Sequence, residues 1–325
     1  MKRLLLLSIA PAILVAGCSA PETKEAQTET KTEVTQTEIA QREPEAMSLF
    51  GEPLYAGEPS ANALAKLETA KAEYEANPED PDALIWYGRR TAYLGRYQDA
   101  IDIFTMGVEK HPDDPRMLRH RGHRYISTRQ FDKAIADLSK AADMIVGTED
   151  QIEPDGMPNA MNIPLTTTHG NIRYHLGLAY YLKHDWENAR RVYAEDFELS
   201  DNDDGIVASG HWLYMILRRM GRDEEAAEVL ERIHPDMEII ENTYYHRAGL
   251  FYKGELSYEE AMPDEVASIG SAGIVYGIAN WYLYNDQPEK AYALMNELVD
   301  GPSWAAFGYI AAEKDLAAAN ARVKK

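Results

Sequence analysis

Two adjacent stretches of the chain superimpose at an offset of 34 residues. The first, PDALIWYGRRTAYLGRYQDAIDIFTMGVEKHPDD, runs from Pro81 to Asp114, and PRMLRHRGHRYISTRQFDKAIADLSKAADM follows from Pro115. Leu84 aligns with Leu118, Gly88 with Gly122, Tyr97 with Phe131, Ala100 with Ala134, Phe104 with Leu138 and Gly107 with Ala141. A fixed period of this length, with two runs of helical spacing in each unit, specifies helix hairpins that bury their apolar faces only by stacking. The small residues mark close helix crossings, where large neighbours fill the groove beside them. The expected fold class is therefore all-α.

Weaker copies of the pattern continue on both sides. Leu64, Leu67, Ala70 and Tyr74 have helical spacing and stop at Asn77-Pro78, which reads as a truncated unit capping the stack. A third unit begins near Gly170, a fourth near Val207, a fifth near Asn242 and a sixth near Ala272, and Pro263 should cut the second helix of the fifth short. An alanine-rich helix from Trp304 to Val323 should close the array. Between the second and third units, residues 149–169 carry three prolines and little periodicity. They read as an inserted loop, either packed into a groove or left as a solvated linker.

Over about 240 residues this pattern resembles the tetratricopeptide repeat (TPR) family. The resemblance implies a right-handed superhelical solenoid of about six helix hairpins with capping helices, spanning residues 60–325, with a concave ligand groove. It says little about biochemistry, because repeat scaffolds carry many unrelated functions.

The N-terminus sets a location. Lys2 and Arg3 precede an apolar run from Leu4 to Val15, shorter than the roughly 20 residues a spanning helix needs. Val15-Ala16-Gly17-Cys18 resembles the bacterial lipobox, which implies a lipoprotein signal peptide over residues 1–17 and lipid attachment at Cys18. Ser19 is similar to sorting signals for the outer membrane, so the expected site is the bacterial cell envelope, facing the periplasm. Residues 18–59 are rich in Thr, Glu and Gln and read as a disordered acidic tether with a span of roughly 35 Å. Acids outnumber bases by 54 to 33, which argues against nucleic acid as a partner. With one cysteine, neither an intramolecular disulfide nor a multi-cysteine zinc site can form.

In such a hairpin the second, fifth, ninth, twelfth and thirteenth residues of the first helix share the face turned to the concave side. Across the thirty such positions stand six Arg or Lys and one acid, so the groove should be basic and aromatic inside an acidic shell. Arg89, Arg116, Arg119 and His123 should lie together, with Tyr174, Tyr181, His211 and Arg219 further along. Arginine forks suit carboxylates and tyrosines add contact area with a polar handle. These eight residues form the expected ligand-binding set, with an acidic protein or peptide as partner. The competing reading pairs the arginines with acids of the chain itself.

Enzyme chemistry finds no foothold in the sequence. His120 and His123 lie among Arg119, Arg121 and Arg124, whose charge repels a cation, so no metal is expected. The chain lacks G-x-S-x-G, H-E-x-x-H and a phosphate-cradling glycine loop. The expected role is a non-enzymatic scaffold or adaptor without cofactor. The alternative is a small-molecule or glycan binder in which loop 149–169 closes a pocket.

Overall fold

A computed structural model describes residues 43–154, 159 and 161–323. The signal segment, Cys18 and most of the expected tether lie outside these residues. Fourteen helices and one small hairpin are found among the described residues. The hairpin strands are β1 (Ala46–Met47) and β2 (Pro53–Leu54), and α1 (Ala61–Ala76) follows them. Six helix pairs come next: α2 (Pro81–Tyr93) with α3 (Tyr97–Lys110), α4 (Pro115–Ser127) with α5 (Phe131–Met144), and α6 (Thr168–Leu182) with α7 (Trp186–Leu199). Then come α8 (Asp203–Arg219) with α9 (Asp223–Glu231), α10 (Thr243–Lys253) with the short α11 (Tyr258–Ala261), and α12 (Ala272–Leu283) with α13 (Pro288–Val299). A last helix, α14 (Phe307–Ala319), ends the chain. This is an all-α helical-repeat fold.

The period is built from local signals. Asp80 and Asp114 cap α2 and α4 by accepting the backbone N–H of Asp82 (3.0 Å) and Arg116 (2.9 Å), and a proline opens each helix where no N–H is needed. A Cβ on Gly88 would sit 2.5 Å from the Phe104 ring, and one on Gly122 would sit 2.6 Å from Leu138 Cγ. Those are the residue pairs that the 34-residue offset aligns. Pro263 follows the four-residue α11, as the sequence predicts.

Each hairpin turn contains one residue with left-handed backbone: Gly95, Arg129, His184, Gly221, Gly254 and Asp286. Glycine adopts this conformation freely, whereas Arg129 (φ 64°) and His184 (φ 59°) hold it against a steric cost. Both of their side chains reach α14. Arg129 Nε donates to Glu313 Oε2 (2.8 Å), and His184 Nε2 lies 3.1 Å from Asp315 Oδ1.

Two expectations need correcting. The tether gives way to ordered chain at residue 43: Gln98 bonds the Glu45 backbone (2.7 Å), the Leu49 N–H donates to Glu313 (2.9 Å), and the Trp304 indole donates to Tyr55 (2.9 Å). The last helix is more than a cap at the end of the stack. It packs on α12 and α13, reaches α6, and approaches α12 so closely that a Cβ on Gly308 would meet the Ala272 carbonyl oxygen at 2.0 Å. Through Phe307 and Asp315 it touches His123, Tyr174, Arg219 and Tyr276, all inner-face positions of four different units. α14 therefore fills part of the concave face.

Candidate functional site

A cavity of about 460 Å³ remains beside α14, between the first helices of units two to four and the inserted loop. Arg119 and His123 from α4, Asn171 and Tyr174 from α6, Ala208 from α8 and Phe307 from α14 line it. Thr166 and Thr167, at the end of the loop, form one wall. The base of that loop is pinned by backbone bonds from Glu153 to Thr166 (2.9 Å) and from Thr168 to Gln151 (2.8 Å). Thr167 in turn caps α6, accepting the Gly170 N–H at 3.1 Å.

Aromatic rings set the floor. His123 and His175 lie 4.3 Å apart between centroids, and Phe307 lies 5.3 Å from His123 and 5.6 Å from His175. Burial, with the neighbouring arginine charges, holds His123 and His175 well below the usual imidazole range, so both are neutral at pH 7. His175 Nδ1 bonds the Asn171 carbonyl at 2.7 Å, which makes Nδ1 the donor. The Tyr174 hydroxyl accepts from the Trp212 indole (2.8 Å) and bonds the Tyr245 hydroxyl (3.1 Å), which fixes its ring. At the other side Arg173 Nε donates to Asp196 (3.3 Å). Burial pushes the Asp196 carboxyl up to about 7, although Arg173 pulls the other way.

The eight predicted site residues divide into three groups. Arg119, His123 and Tyr174 line the cavity, and Arg89 stands next to Arg119. Arg119 and Arg89 share one counter-ion from the inserted loop: Glu153 Oε1 lies 3.1 Å from Arg119 Nη2 and 3.7 Å from Arg89 Nη1. Arg116 is elsewhere, forked between Asp82 (2.6 Å) and Asp114 (2.6 Å) on a more open recess at the turn between units one and two. Its side chain keeps 30% exposure and pairs with two acids of the preceding unit.

Tyr181, His211 and Arg219 are committed to the interior instead. Tyr181, 1% exposed, bonds the Tyr276 hydroxyl (2.6 Å) and accepts from Asn280 (2.8 Å). His211 has no exposed surface and bonds the Tyr252 hydroxyl (3.2 Å), and burial pushes its imidazole down to about 3. Arg219 donates to Asn280 (2.6 Å) and pairs with Asp315. Despite burial, which alone would raise it, Arg219 and His184 hold the Asp315 carboxyl below its ordinary value. The helical face was read correctly for these three, but other parts of the chain cover it: α14 meets Arg219, α12 meets Tyr181, and α10 with α12 encloses His211. Their assignment to a ligand is therefore corrected: the partners they meet, Asp315, Asn280, Tyr276 and Tyr252, belong to the chain itself.

Sequence periodicity could not find Glu153, Phe307, Glu313 or Asp315. None lies at a repeat position, and each meets its partner across long separations, 184 residues for Arg129 with Glu313. Among the described residues no group of three or more His, Cys, Asp or Glu is placed to hold a metal, and no helix is long and apolar enough to cross a membrane.

No protein-family model and no curated protein matches the chain. Some solved structures are similar to it. One is a tetratricopeptide repeat protein from Parabacteroides merdae, 16% identical, aligned over 78% of this chain and 93% of that one with a TM-score of 0.46. Another is YrrB, described as a TPR protein with an unusual peptide-binding site, 17% identical over 72% of this chain and 92% of its own, with a TM-score of 0.41.

Proposed function

We propose that the chain is a non-enzymatic binding component of the bacterial cell envelope, tethered by lipid at Cys18, that captures a protein partner by a short segment seated in the cavity beside α14. The cavity itself carries this reading. Its volume of about 460 Å³ lies in the range of ligand sites, and its floor joins aromatic surface to a few fixed polar groups. A peptide end fits these dimensions better than a whole helix, since α14 already holds the neighbouring stretch of the concave face. The hydroxyls of Thr166 and Thr167 and the amide of Asn171 can bond a peptide backbone, while Phe307, Tyr174 and His123 offer a side-chain pocket. An acidic group on the partner would be met by Arg119.

A small-molecule or glycan ligand is the second reading, favoured by the one observation that loop residues 165–167 border the cavity. Both readings are tested by placing a photo-crosslinking amino acid at Ala208 in cells and identifying what it captures. A discrete protein adduct, absent when the crosslinker stands at exposed Lys140, supports the first reading. Adducts equal at both positions would sink it. Ala208→Trp should fill the cavity and abolish capture with the circular dichroism spectrum unchanged.

A further inference from the structure

A second, smaller chamber of about 100 Å³ lies on the far side of Arg119 and His123 from the main cavity. Arg89, Arg119 and Arg124 line it, together with Tyr93, His120 and Phe104. Its charge does not balance. Glu153 sits between Arg89 and Arg119 and is, among the described residues, the one acid within ion-pair distance of either. The Arg124 guanidinium makes no hydrogen bond or ion pair among the described residues; it lies over the Tyr97 ring, with its carbon 5.2 Å from the ring centroid.

Arg89 spends its donors on the Pro154 carbonyl (2.7 Å) and the Tyr93 hydroxyl (3.3 Å), but a donor of Arg119 is unspent. Arg119 is 8% exposed, and its Nε is buried without an acceptor, although its Nη1 bonds His120 Nδ1 (2.8 Å) and its Nη2 faces Glu153. Leaving a buried charged donor unpaired is costly, and folded proteins seldom retain such a group without a use for it. The histidines cannot supply the missing negative charge, being neutral at most. Burial, reinforced by the Arg119 and Arg89 charges and opposed by Tyr97 and Tyr93, holds Arg124 down to about 10.

We propose that this chamber binds one small oxyanion, the phosphate or carboxylate group of a ligand, between Arg124 and Arg119, with Arg89 completing the ring of charge. Planar guanidinium forks suit tetrahedral and planar oxyanions alike, and they gain most where water is scarce. A volume of 100 Å³ holds such a group with a water or two, but nothing larger. Arg119 and His123 line both spaces, so an anion here would stiffen the floor of the larger cavity. The chamber has its own donors, however, and stands whether or not a peptide occupies its neighbour.

The test is thermal unfolding and calorimetry of the full chain purified in detergent. Inorganic phosphate and acetate are each compared with chloride at matched ionic strength. Phosphate or acetate at millimolar concentration should raise the melting temperature by about 3 °C or more over chloride. A response to phosphate alone assigns a phosphate-class group, and a response to acetate alone a carboxylate. Arg124→Met, which removes an uncompensated cation, should melt no lower than the natural chain in chloride and should lose the anion response. Ala208→Trp, which fills only the larger cavity, should keep it. Glu153→Gln removes the internal competitor and should tighten calorimetric phosphate binding about tenfold. No anion response in the natural chain, a response that survives Arg124→Met, or one lost in Ala208→Trp would each overturn the assignment.

Discussion

The first two hairpins and the last four obey the same helix-pairing rule but are held together differently. Units one and two bury compact clusters, Leu84, Ile85, Phe104 and Met117 in one and Leu118, Ala141, Ile145 and Ile172 in the next, each joining adjacent helices. From Ile126 onward a single apolar cluster runs through to Leu316 and is threaded by buried polar links. Arg129 with Glu313 and Arg219 with Asp315 bind α14 to the inner face, and the Tyr181–Tyr276 hydroxyl pair ties units three and six. Local clusters make a one-dimensional stack, whereas links between distant units make a closed body. The turn position shows the change residue by residue: Gly95 in unit one is replaced 34 residues later by Arg129, which holds the same strained backbone and spends its side chain on α14.

The contrast can be broken most sharply at Glu313. This carboxylate has no exposed surface, accepts from Arg129 and from the Leu49 N–H, and so joins α4, α14 and the N-terminal hairpin. Glu313→Ala would leave Arg129, 3% exposed, without its counter-charge, and should cost about 3–5 kcal/mol. Chemical denaturation should show that loss, together with faster amide exchange in both α14 and residues 45–55. Exchange confined to α14 would mean the ends are not coupled.

Leu84→Ala sharpens the comparison from the other side. A fully buried leucine in the unit-one cluster should cost about 2–4 kcal/mol. Here faster exchange should stay within α1 to α4, because the cluster's buried members pack on neighbouring helices, and among the described residues the Tyr97 ring at its edge, 5.3 Å from Trp304, is the exception. Equal loosening of α12 to α14 would refute the local character of the N-terminal units.

The smallest effect concerns pH. Asp196 has a folded pKa of about 7, above the usual carboxylate value of 3.8, because burial outweighs Arg173. A raised acid binds its proton more tightly folded than unfolded, so its contribution to stability is whole below about pH 4. It declines as pH rises to about 7 and is flat beyond that. Asp196→Asn should therefore gain on the natural chain across that window, by about 2 kcal/mol once the charge left on Arg173 is discounted. Melting temperatures at pH 4, 6 and 8 would show it, and a pH-independent difference would refute the shift.

Much of the architecture was legible in the residues. The 34-residue offset, the aspartate-proline starts and the glycines facing large side chains act over a few residues or one helix pair, so they leave periodic marks. Arg119, His123 and Tyr174 were found for the same reason: helical spacing assigns a face whatever that face meets. Periodicity could not say what covers the face. Tyr181, His211 and Arg219 were placed on the correct side and then lost to the interior, Arg219 to α14, which carries no repeat signature, and the other two to helices of later units. The ordered chain from residue 43 escaped notice as well, its composition being that of a tether and its anchors lying on α3 and α14.

Sequence by itself therefore determined a stack of helix hairpins, their boundaries and the inward stripe, since these follow from backbone hydrogen bonding, caps and the burial of evenly spaced apolar residues. Only the tertiary structure decided that Glu313 and Asp315 occupy part of the inner face, that Glu153 neutralises two arginines, and that Arg124 is left without a counter-ion. Those outcomes depend on which charges meet across 34 to 184 residues of chain, and burial makes each meeting decisive, because a charge taken from water must find its complement or remain a site for one.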